Sequence, residues 1–254
     1  MEIIVVANQK GGVGKSTTTE CIGANLIERG KKVLFIDLDP QGNLTSSFPI
    51  EIEDPCSAFE LLRGDCSLDD AIQNTNRGDI IPASKYLSNK ELIFADRQVG
   101  REKRLKDILS KQKLPYDYIM IDTPPSLDIL TINALAVANK VLVPAQADVY
   151  SLQGIALLIQ TIQDVKEDRN KKLKLSGFVL VRFNPRTVIS KNIFSMLEEI
   201  AKSQKTTLFK THIRECTAIK EAQALKESIF TYSPKSNIAK DYAALVDELL
   251  EKEA

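Results

Sequence analysis

The first seventeen residues leave this chain few folds to adopt. Ile3-Ile4-Val5-Val6-Ala7 is an uncharged apolar run, followed by Lys10-Gly11-Gly12-Val13-Gly14-Lys15-Ser16-Thr17 and then by helical spacing over Thr17–Arg29. Strand, glycine-rich loop and helix in that order make a phosphate cradle. Glycines let backbone N–H groups approach an anion without a Cβ in the way. The helix that follows points its positive end at the same place. Lys15 is placed to reach β- and γ-phosphates, and the Ser16 hydroxyl to ligate a divalent cation. A flexible turn between strand and helix would need neither the lysine nor the hydroxyl.

The rest of the chain repeats the alternation. Strand-like runs fall at Ile3–Ala7, Lys32–Ile36, Asp79–Pro82, Tyr118–Ile121, Val141–Pro144 and Leu175–Val181, with a short one near Leu208–Ile213. Helical spacing fits Thr17–Arg29, Glu102–Lys111, Ile129–Ala138, Gly154–Glu167, Ser190–Ala201 and Ile238–Glu251. Near-continuous Val/Ile/Leu strands belong to a parallel sheet covered on both faces. The expectation is an α/β, doubly wound, mostly parallel sheet flanked by helices, one domain over residues 1–254, with ligands at the carboxyl ends of the strands. No helix-turn-helix domain is expected before Ile3.

Two of those strands deliver carboxylates to that ligand edge. Val33-Leu34-Phe35-Ile36-Asp37-Leu38-Asp39-Pro40-Gln41-Gly42-Asn43 places Asp37 and Asp39 two residues apart, pointing the same way, which is costly unless a cation or water uses them. Tyr118-Ile119-Met120-Ile121-Asp122-Thr123-Pro124-Pro125-Ser126 ends a hydrophobic strand in Asp122, with two prolines stiffening the turn beyond it.

Bulk properties narrow the function classes. The chain has 34 basic and 34 acidic residues among 254, so nucleic-acid binding needs a local patch and not a global polycation. Apolar runs fall far short of the ~18 residues of a membrane span, and no basic leader precedes the first strand. Cys21, Cys56, Cys66 and Cys216 have no metal-like spacing and read as reduced thiols of a cytoplasmic protein. A single histidine, His212, argues against His-based metal or triad chemistry.

Taken together, KGGVGKST, DLDPQGN and DTPPSLD resemble the motifs of the ParA/MinD group of deviant Walker A P-loop ATPases, and the likeness to ParA/Soj-like partitioning proteins runs from Ile3 to about Leu250. The resemblance implies ATP and Mg²⁺ as cofactors. It gives the early lysine, Lys10, a contact to nucleotide held by the other subunit of an ATP-dependent homodimer. It gives Asp39 the attacking water, Asp37 and Asp122 with Ser16 the magnesium shell, and the segment after Asp122 a γ-phosphate sensing loop. Asn184, in Arg182-Phe183-Asn184-Pro185-Arg186, matches an adenine-reading asparagine, and Pro234 lies where the family places a second wall of the base pocket.

Basic residues are uneven. Lys166 to Lys191 holds eight Lys/Arg against two acids, and Arg101 to Lys113 six against two. The second reads as a solvated helix face. The first contains Arg186, which matches the family's DNA-contacting segment; Arg214 and Lys220 are further candidates. In the same region Glu215 and Ala218 stand where arginines are common in the family, and Gln223 where a proline is usual. The expected function is an ATP-dependent partitioning ATPase whose dimer binds double-stranded DNA non-specifically on the nucleoid and is released after hydrolysis stimulated by a ParB-like partner. The alternative is a MinD-like membrane-associated positioning ATPase. That alternative needs a basic amphipathic C-terminal helix, whereas the tail from Pro234 has three lysines and five acids.

Overall fold

The computed structural model describes residues 1–50, 56–95, 99–183 and 187–251, and the side chains of 149–151 are left aside. Six strands, β1 (Glu2–Val6), β2 (Val33–Asp37), β3 (Asp79–Ile81), β4 (Tyr118–Asp122), β5 (Lys140–Ala145) and β6 (Lys174–Leu180), form one sheet in the order β3-β2-β4-β1-β5-β6. Every pairing is parallel. The helices are α1 (Lys15–Glu28), α2 (Asn43–Ser46), α3 (Ala58–Arg63), α4 (Leu68–Ala71), α5 (Lys90–Ile93), α6 (Arg104–Leu109), α7 (Ile129–Val137), α8 (Val149–Asp168), α9 (Val188–Ser203), α10 (Ala218–Ala224), α11 (Ile229–Tyr232) and α12 (Asn237–Glu251).

Strand residues divide by parity between two cores, as a sheet covered on both faces requires. Ile3, Val5, Leu34, Ile36, Ile119 and Ile121 pack into the core shared with α3 and α5–α9. Ile4, Val6, Val33, Phe35, Tyr118 and Met120 pack into the core shared with α1 and α10–α12. Gly23 lets α1 lie close on the sheet: a Cβ there would stand 2.3 Å from the Phe35 ring.

The fold class agrees with the sequence reading, with differences at its edges. The short strand expected near Leu208–Ile213 is reduced to two isolated bridges, Phe178 with Leu208 and Val181 with Ile213. The helix expected over Glu102–Lys111 is a single 3₁₀ turn, Arg101–Lys103, running into α6. One chemical reading is corrected: Cys56 and Cys66 form a disulfide with Cα atoms 6.4 Å apart, while Cys21 and Cys216 are free. The short helix α3 ends at Gly64, whose φ of 92° turns the chain back and carries Cys66 to Cys56.

Candidate nucleotide site

The glycine loop and α1 build the site's floor. Gly12 and Gly14 take left-handed φ values of 74° and 76°, which a side chain would strain. Gly14 is the N-cap of α1 and no side chain caps the helix, so its first-turn N–H groups face the groove. A cavity of about 640 Å³ opens there, lined by Gly11, Gly12, Gly14, Lys15, Ser16, Thr17, Asp39 and Pro125 among others. Val13 is fully buried and anchors the loop from behind.

Three tethers join the loop to the end of β5 and the segment after it. Asn8 Nδ2 donates to the Pro144 carbonyl at 2.7 Å, Gln146 Nε2 donates to the Gly12 carbonyl at 3.2 Å, and Lys10 forms an ion pair with Asp148. Lys10 is therefore held within its own protomer here, with about a third of its side chain exposed. Lys15 Nζ donates to the Lys10 carbonyl at 3.1 Å. Burial lowers the Lys15 pKa, against the opposing pull of Asp122 and Asp39.

The two aspartates that end β2 and β4 are register partners: Asp37 lies opposite Asp122 on adjacent strands. Both are fully buried, yet their surroundings differ. Asp37 accepts from Thr45 N at 2.8 Å, Thr45 Oγ1 at 2.7 Å and Asp39 N at 3.0 Å, so its carboxylate organises the loop into α2. Burial still raises its pKa to about 6. Neither oxygen of Asp122 has a formed hydrogen bond. Burial, then the charge of Asp37, pushes its pKa well above the carboxylate range; the facing Ser16 hydroxyl and the Lys15 charge only partly oppose this. An orphaned buried carboxylate beside a hydroxyl and a phosphate loop is a donor set that suits a hard divalent cation. Asp39 lies nearby, buried, one oxygen held by Gln41 N at 3.0 Å, and it lines the same cavity as the loop.

A smaller hollow of about 130 Å³ continues from Gly14 and Thr17 toward Arg182, Arg214, Cys216, Lys220 and Tyr242. Arg214 does not stand free. Its guanidinium grips Asp241, Nε to Oδ2 at 2.9 Å and Nη2 to Oδ1 at 2.5 Å. Lys220 is exposed beside it. Pro234 is exposed and lines neither hollow. Asn184 and Arg186 lie outside the described residues.

Residues to which the sequence assigned no role complete the site. Gln223 Nε2 donates to Thr17 Oγ1 at 3.3 Å and to Glu20 Oε2 at 3.1 Å, and Glu20 is ion-paired with Arg77. The replacement of a usual proline by Gln223 was the available signal. Thr45 and Asp148 carried none: their partners lie 8 and 138 residues away.

Comparisons with known proteins agree with this geometry. A family described as "AAA domain" matches residues 1–175. The chain is 38% identical over 252 residues to the sporulation initiation inhibitor protein Soj of Bacillus subtilis, covering 98% of each. It is 35% identical to the chromosome partitioning protein ParA of Myxococcus xanthus, covering 99% of this chain and 88% of that one. A solved structure titled cobyrinic acid a,c-diamide synthase from Mycobacterium smegmatis, with bound ATP analog and magnesium, superposes with a TM-score of 0.83 at 34% identity, covering 98% of this chain and 94% of the other. The chain belongs to the ParA/Soj family of P-loop ATPases.

Proposed function

We propose that this protein is an ATP-driven partitioning ATPase. The observation that carries the reading is the unpartnered, buried Asp122 carboxylate facing Ser16 at the foot of the glycine loop. Lys15 and the first-turn N–H groups of α1 would hold the β- and γ-phosphates of ATP, and Ser16 and Asp122 would hold Mg²⁺, with Asp37 shaping the adjoining loop. The bound ion would neutralise charge that develops on the transferred phosphoryl group. Asp39, which lines the same cavity, would orient the attacking water. Asn184 and Pro234 remain the candidates for the base.

In this reading Lys10 leaves Asp148 and crosses to nucleotide in a second copy, closing an ATP-dependent homodimer. The dimer binds double-stranded DNA without sequence preference through Arg186, Lys220 and, once freed from Asp241, Arg214. A ParB-like partner stimulates hydrolysis and release, and the protein is cytoplasmic and nucleoid-associated. The MinD-like alternative is weaker. The apolar face of α12 is already spent on the core, with Ile238, Tyr242, Leu245, Val246 and Leu249 buried and the Tyr242 hydroxyl 3.2 Å from Thr18 Oγ1. Among the described residues no helix is long and apolar enough to cross a membrane. The test is binding of arbitrary duplex DNA with and without ATP across a range of salt, run beside ATP turnover. ATP-dependent binding that weakens steeply with salt supports the proposal. Turnover without any ATP-dependent DNA binding would refute the partitioning role.

A further inference from the structure

A disulfide is an unexpected bond in a chain that the proposed function places in the cytoplasm, where such bonds are rare and, when present, form and break with redox state. Cys56 and Cys66 bracket α3, one residue before its N-cap Ser57 and two after its C-cap Gly64. The helix does not need the bond to stay in place. A capping box of Ser57 and Glu60 closes its first turn. Arg104 closes its last turn, with Nε donating to the Leu62 carbonyl at 2.9 Å and Nη2 to the Arg63 carbonyl at 2.8 Å. Phe59, Leu61 and Leu62 are buried beneath. Opening the disulfide therefore leaves α3 folded and changes only how tightly its ends are tied together.

The pair can be reached from solvent, and it is connected to the nucleotide site. Both cysteines are half-buried. Cys66 lines a hollow of about 510 Å³ with Ser67, Arg104, Asp107, Lys111 and Gln112. Two cations against one acid favour a thiolate there and draw in a small molecule that carries carboxylates. Cys21 is buried, and Cys216 lies in the hollow beside the nucleotide cavity; both are free thiols. From α3 a short relay runs to the buried aspartates. Ala58 N donates to the Pro82 carbonyl at 2.8 Å, and the next residue, Ala83, donates its N–H to Thr45 Oγ1 at 2.8 Å. The same hydroxyl donates to Asp37 at 2.7 Å, and Asp37 is the register partner of Asp122. Ser46 and Ser47, which follow Thr45, line the nucleotide cavity.

We propose that Cys56 and Cys66 are a thiol–disulfide modification site, oxidised by a low-molecular-weight disulfide that enters the hollow beside Cys66, and that their state sets how firmly Thr45 holds Asp37. The Cys66 thiolate attacks one sulfur of the small disulfide, which gives a mixed disulfide and releases one thiol. The Cys56 thiolate then attacks Cys66 Sγ, forming the bond present in this structure and releasing the second thiol. The chain gives up two protons and two electrons, and the small disulfide takes up both. The closed form ties Ser57 and Ala58 against Pro82, so it is the form in which the relay to Asp37 is tightest. This inference goes beyond the partitioning reading and draws on neither the dimer nor DNA.

The experiment equilibrates the full chain in a series of buffers that mix glutathione with its disulfide, followed by acid quenching, denaturation and alkylation. The reduced chain should label at four cysteines and the oxidised chain at two, with the change falling inside the series. A pair still closed at the reducing end would be a structural disulfide, and a pair still open at the oxidising end would be no site; either result overturns the proposal. ATP turnover of the same samples should be about fivefold lower in the reduced form, at the low end of couplings between sites. Cys66→Ser should not respond to the buffer. Thr45→Val lacks the hydroxyl shared by Asp37 and Ala83. It should still pair its cysteines yet turn over equally in both forms, whatever its basal rate, and Thr45→Ser should restore the difference. Equal wild-type turnover in the two forms would overturn the link to the nucleotide site. So would a redox response of turnover that persists in Cys66→Ser or in Thr45→Val.

Discussion

The two edges of this one sheet carry charge in opposite ways. At the carboxyl edge, Lys15, Asp37, Asp39 and Asp122 are all buried. They mix signs, and three of them are held by specific hydrogen bonds. At the amino-terminal edge Lys166, Lys171, Lys172 and Lys174 are exposed and of one sign. Buried charges in a low-dielectric setting act through geometry, and a small displacement is expensive. Exposed charges are screened over a Debye length of about 8 Å in physiological salt and act through their number. The first edge suits a single ligand in a single pose. The second offers charge in number but no fixed geometry. The two edges therefore respond differently to mutation: one residue should disable the carboxyl edge, while no single lysine of the other should change ATP turnover.

The largest effect is expected for Asp39→Ala. In the proposed reading the phosphate and cation contacts would remain while the group that would orient the attacking water is gone, so turnover should fall by roughly 10²–10⁴-fold. ATP binding should persist, and size measurements with ATP should show an accumulated dimer. Unchanged turnover would remove Asp39 from the reaction. Lys15→Ala should follow, with ATP affinity lower by about one to two orders of magnitude, since a charge-assisted hydrogen bond contributes about 1.5–3 kcal/mol. Titration of a fluorescent ATP analogue would measure this, and wild-type affinity would break the contrast between the edges at its firmest point.

Lys10→Ala sharpens the comparison differently, because Lys10 lies at the carboxyl edge yet is only partly buried and is tied to Asp148. Nucleotide binding by the monomer should be spared. ATP-dependent dimerisation should weaken by about 30-fold or more, in keeping with the roughly 2–5 kcal/mol that truncating one partner of a buried interfacial charge pair costs. Sedimentation with ATP decides the matter: a normal dimer would leave Lys10 with its intramolecular partner alone.

Much of the carboxyl edge was legible in the sequence because each of its parts is local. A strand, three glycines and a lysine are contiguous, and φ values near 75° at Gly12 and Gly14 are what glycine is there to permit. Each aspartate announces itself at the end of an apolar run. The pairing of Asp37 with Asp122 was not legible, since strand register is a tertiary fact. For the same reason the Lys10–Asp148 tether could not be read, nor the Cys56–Cys66 disulfide, which depends on a six-residue helix and a left-handed Gly64. The basic run misled by its continuity. Seven residues of β6 place its two ends at opposite edges of the sheet. Helix α9 begins two residues earlier than its apolar spacing suggests because Thr187 caps it, its hydroxyl accepting from Ser190 N, while the added Val188 and Ile189 stay exposed.

The smallest effect is expected at the one place where the nucleotide edge is braced from outside. Gln223, on α10, reaches Thr17 and Glu20 on α1, and Glu20 is buried against Arg77. Burial raises the Glu20 pKa, and Arg77 and Gln223 oppose that shift by favouring the charged form. Gln223→Ala removes one donor and leaves Arg77 in place, so the carboxylate stays paired. The expected cost is about 1 kcal/mol of stability, the typical net worth of one such bond. For a chain of this size that lowers the melting temperature by roughly 2–4 °C. Because Thr17 is at the mouth of the cavity, ATP affinity should also drop, by no more than about fivefold on the same figure. Leu at this position fills the volume without restoring the bond and should behave like Ala, whereas a brace that acts by packing alone would be rescued. If Gln223→Ala lowers the melting temperature but leaves ATP affinity untouched, α10 supports the fold only, and the precision of the carboxyl edge resides wholly in the loop and the three aspartates.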